Sequence, residues 1–154
     1  MGSDNMGGDI VGMARKFIEA IPYSRALGMV IDAVGDGGCT VSMPWDARLI
    51  GDPATGVIHG GAVSALLDTA SGAAVLSHPQ ARALATATLA LRIDYMRPAT
   101  PGQKIVAHAE CYHVTRSVAF VRAQAFDDDR DRPVAAATGA FTLERAPGQG
   151  GGPR

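Results

Sequence analysis

Only two cysteines occur, Cys39 and Cys111, set far apart and outside any CxxC, which excludes a disulfide framework and a cysteine-built zinc cluster. Two buried thiols in a reducing, cytoplasmic setting are expected instead. No stretch approaches the roughly 18 apolar residues of a membrane helix, and no basic patch followed by an apolar run opens the chain, so a soluble protein is expected. The formal net charge is −1, with acids and bases interspersed along the chain. Without a field of one sign, neither a nucleic acid nor an anionic membrane surface is expected as partner. Gly-x-Gly-x-x-Gly and Walker patterns are absent, and no nucleotide cofactor is expected. Ser64 lies outside a Gly-x-Ser-x-Gly elbow, which leaves a serine-hydrolase triad with His59 unsupported. His108 and His113 stand five apart in one predicted strand, hence on opposite faces, so no joint metal site is expected there.

What is present suits one domain: 154 residues with 47% hydrophobic content can bury a single core. Residues 1–8 and 146–154 are rich in glycine and polar residues and are expected to be loose termini, leaving residues 9–145 as the domain. Ile10, Met13, Ala14, Phe17, Ile18 and Ile21 recur at helical steps before Pro22, predicting an amphipathic helix. Residues 27–34 and 39–43 flank Gly35-Asp36-Gly37-Gly38 and read as a β-hairpin. A long segment of small and apolar residues, 59–77, is the expected main helix, stopped at His78-Pro79. Four runs of strand character follow, at 84–96, 104–115, 117–127 and 133–144. In the third, Ala119, Val121, Ala123 and Ala125 alternate with larger residues and form a face that must be covered. Together these predict an α+β fold with a mostly antiparallel sheet packed on the long helix.

That helix carries the chemistry. Its glycine-rich start leaves N–H groups without partners and concentrates about half a positive charge, which suits a developing oxyanion. Gly60 and Gly61 allow a ligand to approach the backbone. Asp68 is the sole ionisable group between Ala62 and Ser77, and a carboxylate in such surroundings needs a partner or a task. Gly61, Ala65, Asp68 and Gly72 share one stripe whose small side chains leave room beside the carboxylate. Gly60 and Asp68 are separated by roughly 12 Å at about 1.5 Å of rise per residue. Both cannot act on one carbonyl from the same chain, so joint catalysis predicts a dimer with shared sites.

His59-Gly-Gly-Ala62, Asp68 nine residues after the histidine, Tyr95-Met-Arg-Pro98 at a strand end, and Gly102 beyond it resemble the hotdog-fold thioesterases of the phenylacetyl-CoA thioesterase type. The similarity spans approximately residues 27–143. It implies a long central helix wrapped by a five- to six-stranded sheet, dimers that often pair into tetramers, and a site between subunits. It also implies an acyl-CoA substrate with Asp68 as nucleophile or general base, Gly60 as the N–H donor to the thioester carbonyl, and His59 shaping the loop. Thr88 occupies the position of a hydroxyl that orients water. Gly61 and Ala65 line the substrate space, while Arg97, Arg116 and Ser117 sit where coenzyme A contacts fall. No cofactor or metal is implied. Six residues before His59 the family usually has Asn or Gln, whereas this chain has Pro53, which offers no side-chain hydrogen bond; Asp52 next to it is a candidate substitute. Two other functions compete: a non-catalytic acyl-CoA binding module on the same fold, and a hotdog hydratase or dehydratase, for which the His-containing proline-rich loop is missing.

Overall fold

The computed structural model describes residues 4–145. Helix α1 (Asp4–Ala20) and the short α2 (Pro22–Ala26) lead into the hairpin of β1 (Val30–Gly35) and β2 (Gly38–Met43). A small ladder of β3 (Ile50–Asp52) and β4 (Val57–Ile58) precedes the long α3 (Gly60–Ser77). Then come β5 (Thr88–Tyr95), β6 (Ile105–Val114), β7 (Val118–Phe126) and β8 (Ala135–Thr142). Helix α1 starts at Asp4, six residues ahead of Ile10, the first residue of its apolar stripe. The N-terminal loose segment expected at 1–8 is therefore helical from Asp4, and residues 1–3 and the expected tail at 146–154 lie outside the described residues.

Six strands form one sheet in the order β1-β2-β6-β7-β8-β5, every adjacent pair antiparallel. The β1–β2 turn closes through Gly35 and Gly38, with Asp36 at φ 51° and Gly37 at φ 82°. Two successive positive φ values match the right-handed strand twist, which is what Asp-Gly supplies. Helix α3 crosses the inner face, burying Ala62, Val63, Leu66, Leu67, Ala70, Ser71, Ala74 and Val75. The sheet receives it on small side chains: Ala107 and Ala109 of β6, Ala119, Ala123 and Ala125 of β7, and Ala135 and Ala137 of β8 are all buried. Short side chains let a helix lie close to the strands, so the alternation in β7 acts as a docking surface.

Two expectations change. Strand β5 begins at Thr88, not at 84, and before it only Ala85 makes a bridge, to Glu144. A bulge between Cys111 and His113 inserts Tyr112 as an extra residue and reverses the alternation beyond it. His108 and His113 thus both face outward, against the parity predicted from their spacing, and no group of metal-ligating side chains forms among the described residues. Both cysteines are buried and free, and burial pushes the Cys39 thiol up to about 12.

Candidate active site

Because α3 packs by one face, the stripe of Ala65, Asp68 and Gly72 is left on its open side. Asp68 is half-buried rather than enclosed, with the sheet beneath the helix and strand β5 beside it. Thr88, the first residue of β5, donates from Oγ1 to Asp68 Oδ1 at 2.7 Å. That bond fixes the carboxylate's rotation and leaves Oδ2 without a protein partner among the described residues.

Asp68 borders two hollows. One, of about 410 Å³, runs along α3 past Gly72 and Leu76 and is walled by Phe17 and Ile18 of α1, Leu84 and Phe141. The other is shallower, with Ser64, Ala65, Leu91 and Ile93 around it. Apolar walls with a carboxylate and hydroxyls at one end are suited to an extended apolar group whose reactive end is polar.

The helix start is built differently. His59 is the N-cap, at φ −58° and ψ 133°, and its Nδ1 accepts the Gly61 N–H at 2.8 Å. A Cβ at Gly61 would lie 2.9 Å from that nitrogen, so the residue must be glycine for the imidazole to fold back this far. The His59 N–H donates to the Leu49 carbonyl at 2.8 Å, and the His59 carbonyl accepts from Ala62 at 3.0 Å. The Gly60 carbonyl accepts from the Tyr95 hydroxyl at 2.9 Å, and Ser64 Oγ, 3.2 Å from the same oxygen, shares its one proton between that carbonyl and the Tyr95 oxygen. Among the described residues, the Gly60 N–H is left with no acceptor. Gly60 borders a third hollow of about 420 Å³, with Val57, Tyr95, Met96, Arg97 and Pro98 around it.

Gly60 and Asp68 therefore border separate hollows within one chain. Gly61 does not offer its N–H to a ligand, since His59 holds it, and Ala65 lies on the Asp68 side. Arg116 and Ser117 are exposed in the β6–β7 turn, where the Ser117 carbonyl accepts from Leu143. Arg97 departs from expectation. Its guanidinium grips Asp127 at 2.7 Å through both terminal nitrogens and donates further to the carbonyls of Arg132 and Pro98. With all five of its N–H donors committed, it is a brace and not a free cation for phosphate. Asp127, 2% exposed, also accepts from the Thr100 N–H and hydroxyl and from the Asp129 N–H. The Arg97 guanidinium holds its carboxyl far below the usual carboxylate range, against the opposing push of burial. Asp52 likewise turns inward on its own loop, accepting from Ala54 N–H and Thr55 Oγ1, so it does not replace the missing amide at Pro53. The sequence gives no role to Asp127, at the end of the predicted strand 117–127, or to Tyr95. The only advance signals were a carboxylate at the end of an apolar alternation and a tyrosine at a strand end.

An antiparallel sheet wrapped round one long helix, with a single carboxylate midway along that helix, defines a hotdog-fold protein. The chain belongs to the Thioesterase superfamily, whose family model matches residues 55–134. A Pseudomonas aeruginosa protein of known structure is 39% identical with a TM-score of 0.76, over 86% of this chain and 98% of that one. The Escherichia coli PaaI protein from the phenylacetic acid degradation operon shares the fold at 24% identity and a TM-score of 0.77, over 89% of this chain and 94% of that one. Among curated relatives, the medium/long-chain acyl-CoA thioesterase YigI of Escherichia coli is 23% identical over 139 residues, 82% of this chain and 88% of YigI. A Halobacterium salinarum protein provisionally described as an esterase is 31% identical over 93 residues, 59% of this chain and 62% of that protein, so the match spans less than two thirds of it. No helix among the described residues is long and apolar enough to cross a membrane.

Proposed function

We propose that the protein is an acyl-CoA thioesterase that acts as a homodimer with two sites, each made of Gly60 from one chain and Asp68 from the other. The observation that carries the reading is that both half-sites are tied to one edge strand. Thr88 at the start of β5 holds Asp68, and Tyr95 at its end holds the Gly60 carbonyl. Strand β5 is paired on one side by β8 and open on the other, with Leu89, Tyr95 and Met96 exposed at 58%, 52% and 59%. An open edge bearing apolar side chains favours pairing with a second copy. A two-fold antiparallel pair centred between Leu91 and Arg92 puts Thr88 of one chain opposite Tyr95 of the other. The partner's Asp68 then stands beside Gly60, which overcomes the separation of roughly 12 Å along one helix. Pairing of such dimers into tetramers is what the family resemblance adds.

In this reading the thioester carbonyl oxygen accepts the Gly60 N–H, and the acyl chain runs into the hollow between α1 and α3. Asp68 acts in one of two ways. As base, it takes a proton from water while the hydroxide adds to the carbonyl carbon; the tetrahedral oxyanion collapses, the C–S bond breaks, and the departing thiolate takes the proton back from Asp68. As nucleophile, its Oδ2 displaces the thiolate to give an anhydride that water then opens to acid and free Asp68. In both, Thr88 donates to Oδ1 and has lone pairs left to accept from the water.

The test is thiol release from a panel of acyl-CoA thioesters by wild type and Asp68→Asn, with binding measured by calorimetry. Turnover by wild type and loss of at least about 10²-fold in the variant are expected. Pro53 in place of an amide favours one other reading, an acyl-CoA binding module, and binding without any thiol release by wild type would establish it. Equal turnover by the two proteins would remove Asp68 from the mechanism.

A further inference from the structure

We infer that Tyr95 is a positioning residue for the carbonyl-polarising amide, setting the direction of the Gly60 N–H through its hydroxyl. The inference rests on the thioesterase reading above. The direction of that N–H is decided by the peptide plane joining His59 to Gly60, and its coupling to the next plane is decided by φ and ψ at Gly60. Glycine leaves those two angles freer than any other residue, so the plane on each side has to be held from outside.

The first plane is held locally, because the His59 carbonyl accepts from Ala62. The second is held at both ends: its N–H, on Gly61, is fixed by His59 Nδ1 at 2.8 Å, and its carbonyl, on Gly60, by Tyr95 Oη at 2.9 Å and Ser64 Oγ at 3.2 Å. All of these partners except Tyr95 belong to residues 59–64 and would move with the helix start. Tyr95 reaches in from β5, 35 residues away, and ties the Gly60 peptide itself to a second element, whereas the Leu49 carbonyl holds only the N–H of His59. Its ring also lies across Gly60, where a Cβ would come within 3.3 Å of Cε1. Since Thr88 on the same strand orients Asp68, β5 sets both halves of the site, through two hydroxyls carried by residues seven apart in the strand. A donor that must meet an oxyanion at 2.7–3.1 Å loses most of its effect when its direction wanders, while ground-state binding depends on the apolar hollow and is little affected.

Tyr95→Phe removes the hydroxyl and keeps the ring against Gly60. The expected result is a fall in kcat of about 10-fold for the best acyl-CoA of the panel, with KM within about 2-fold, an unchanged pH profile and a melting temperature close to wild type. Ser64→Ala, which leaves the external tie in place, has the smaller effect. The independent readout is 15N relaxation of the Gly60 amide in glycine-labelled protein: rigid in wild type and Ser64→Ala, and mobile on the nanosecond scale in Tyr95→Phe. Wild-type kcat in Tyr95→Phe, or a Gly60 amide as rigid as in wild type, overturns the inference. An unchanged kcat with raised KM also overturns it, since that would make Tyr95 a substrate contact. If wild type itself releases no thiol, the hydrolase reading fails, and the relaxation data alone decide whether Tyr95 sets the amide.

Discussion

Exchanging Gly60 for proline, with alanine as the control for the added Cβ, removes one N–H and puts the ring Cδ on that nitrogen. Gly60 is the first residue of α3, where proline is favoured because the missing N–H has no helical acceptor. The residue before a proline must be extended, and His59 already is, at ψ 133°. Both substitutions add a Cβ that would lie 3.3 Å from Tyr95 Cε1, so both oblige the ring to give by a few tenths of an ångström. The differences between them are the hydrogen-bond donor and the ring carbons that replace it. Loss of one oxyanion donor costs about 10²- to 10³-fold in kcat, or about 3–4 kcal/mol, and that ratio is expected between Gly60→Ala and Gly60→Pro. The assay is release of coenzyme A followed with a thiol reagent. The protein's own thiols add little background, since both are buried and the Cys39 thiol is pushed up to about 12. Equal kcat for two folded variants would refute the assignment of the Gly60 N–H to the carbonyl.

Asp127→Asn leaves the Arg97 guanidinium, 18% exposed, without its counter-charge, and a loss of about 3 kcal/mol is expected, seen as a fall in melting temperature of about 6–12 °C at pH 7. The pH dependence has a definite sign: the folded carboxyl is held below its unfolded value of about 3.9, so the stabilisation is complete above that pH and disappears as the pH falls beneath it. Wild type should lose stability between about pH 4 and pH 2 more steeply than Asp127→Asn, and parallel curves would show that the pair does not act as a buried ion pair. Gly37→Ala places a side chain at φ 82° with its Cβ 2.6 Å from His78 Cδ2, so destabilisation of about 1–3 kcal/mol by chemical denaturation is expected; a neutral result would mean that the hairpin turn relaxes freely.

How far the sequence could be read follows from which signals are local. The hairpin, α3 and the inward alanine alternation of β7 rest on turn chemistry and periodicity within ten or so residues, and each is present where those signals put it. The Asp68 and Gly60 separation was legible because helical rise is fixed. Contacts between distant segments were not. The parity of His113 changed through one extra residue in β6, which no periodicity in that segment announces. Arg97 looked like a free cation at a strand end, and only the approach of the β7–β8 turn, 30 residues on, gives it Asp127. Helix α3 looked apolar all round, yet its Asp68 side stays half-open because the sheet covers one face only.

The most direct test of the shared site is complementation between two inactive chains, Gly60→Pro and Asp68→Asn, refolded together in equal amounts. In a hybrid dimer one site combines the intact Gly60 of one chain with the intact Asp68 of the other, while the second site carries both substitutions. Half the dimers are hybrids with one of two sites working, so recovery of about a quarter of the wild-type rate is predicted. A mixture no more active than the separate variants would show that Gly60 and Asp68 do not meet across subunits.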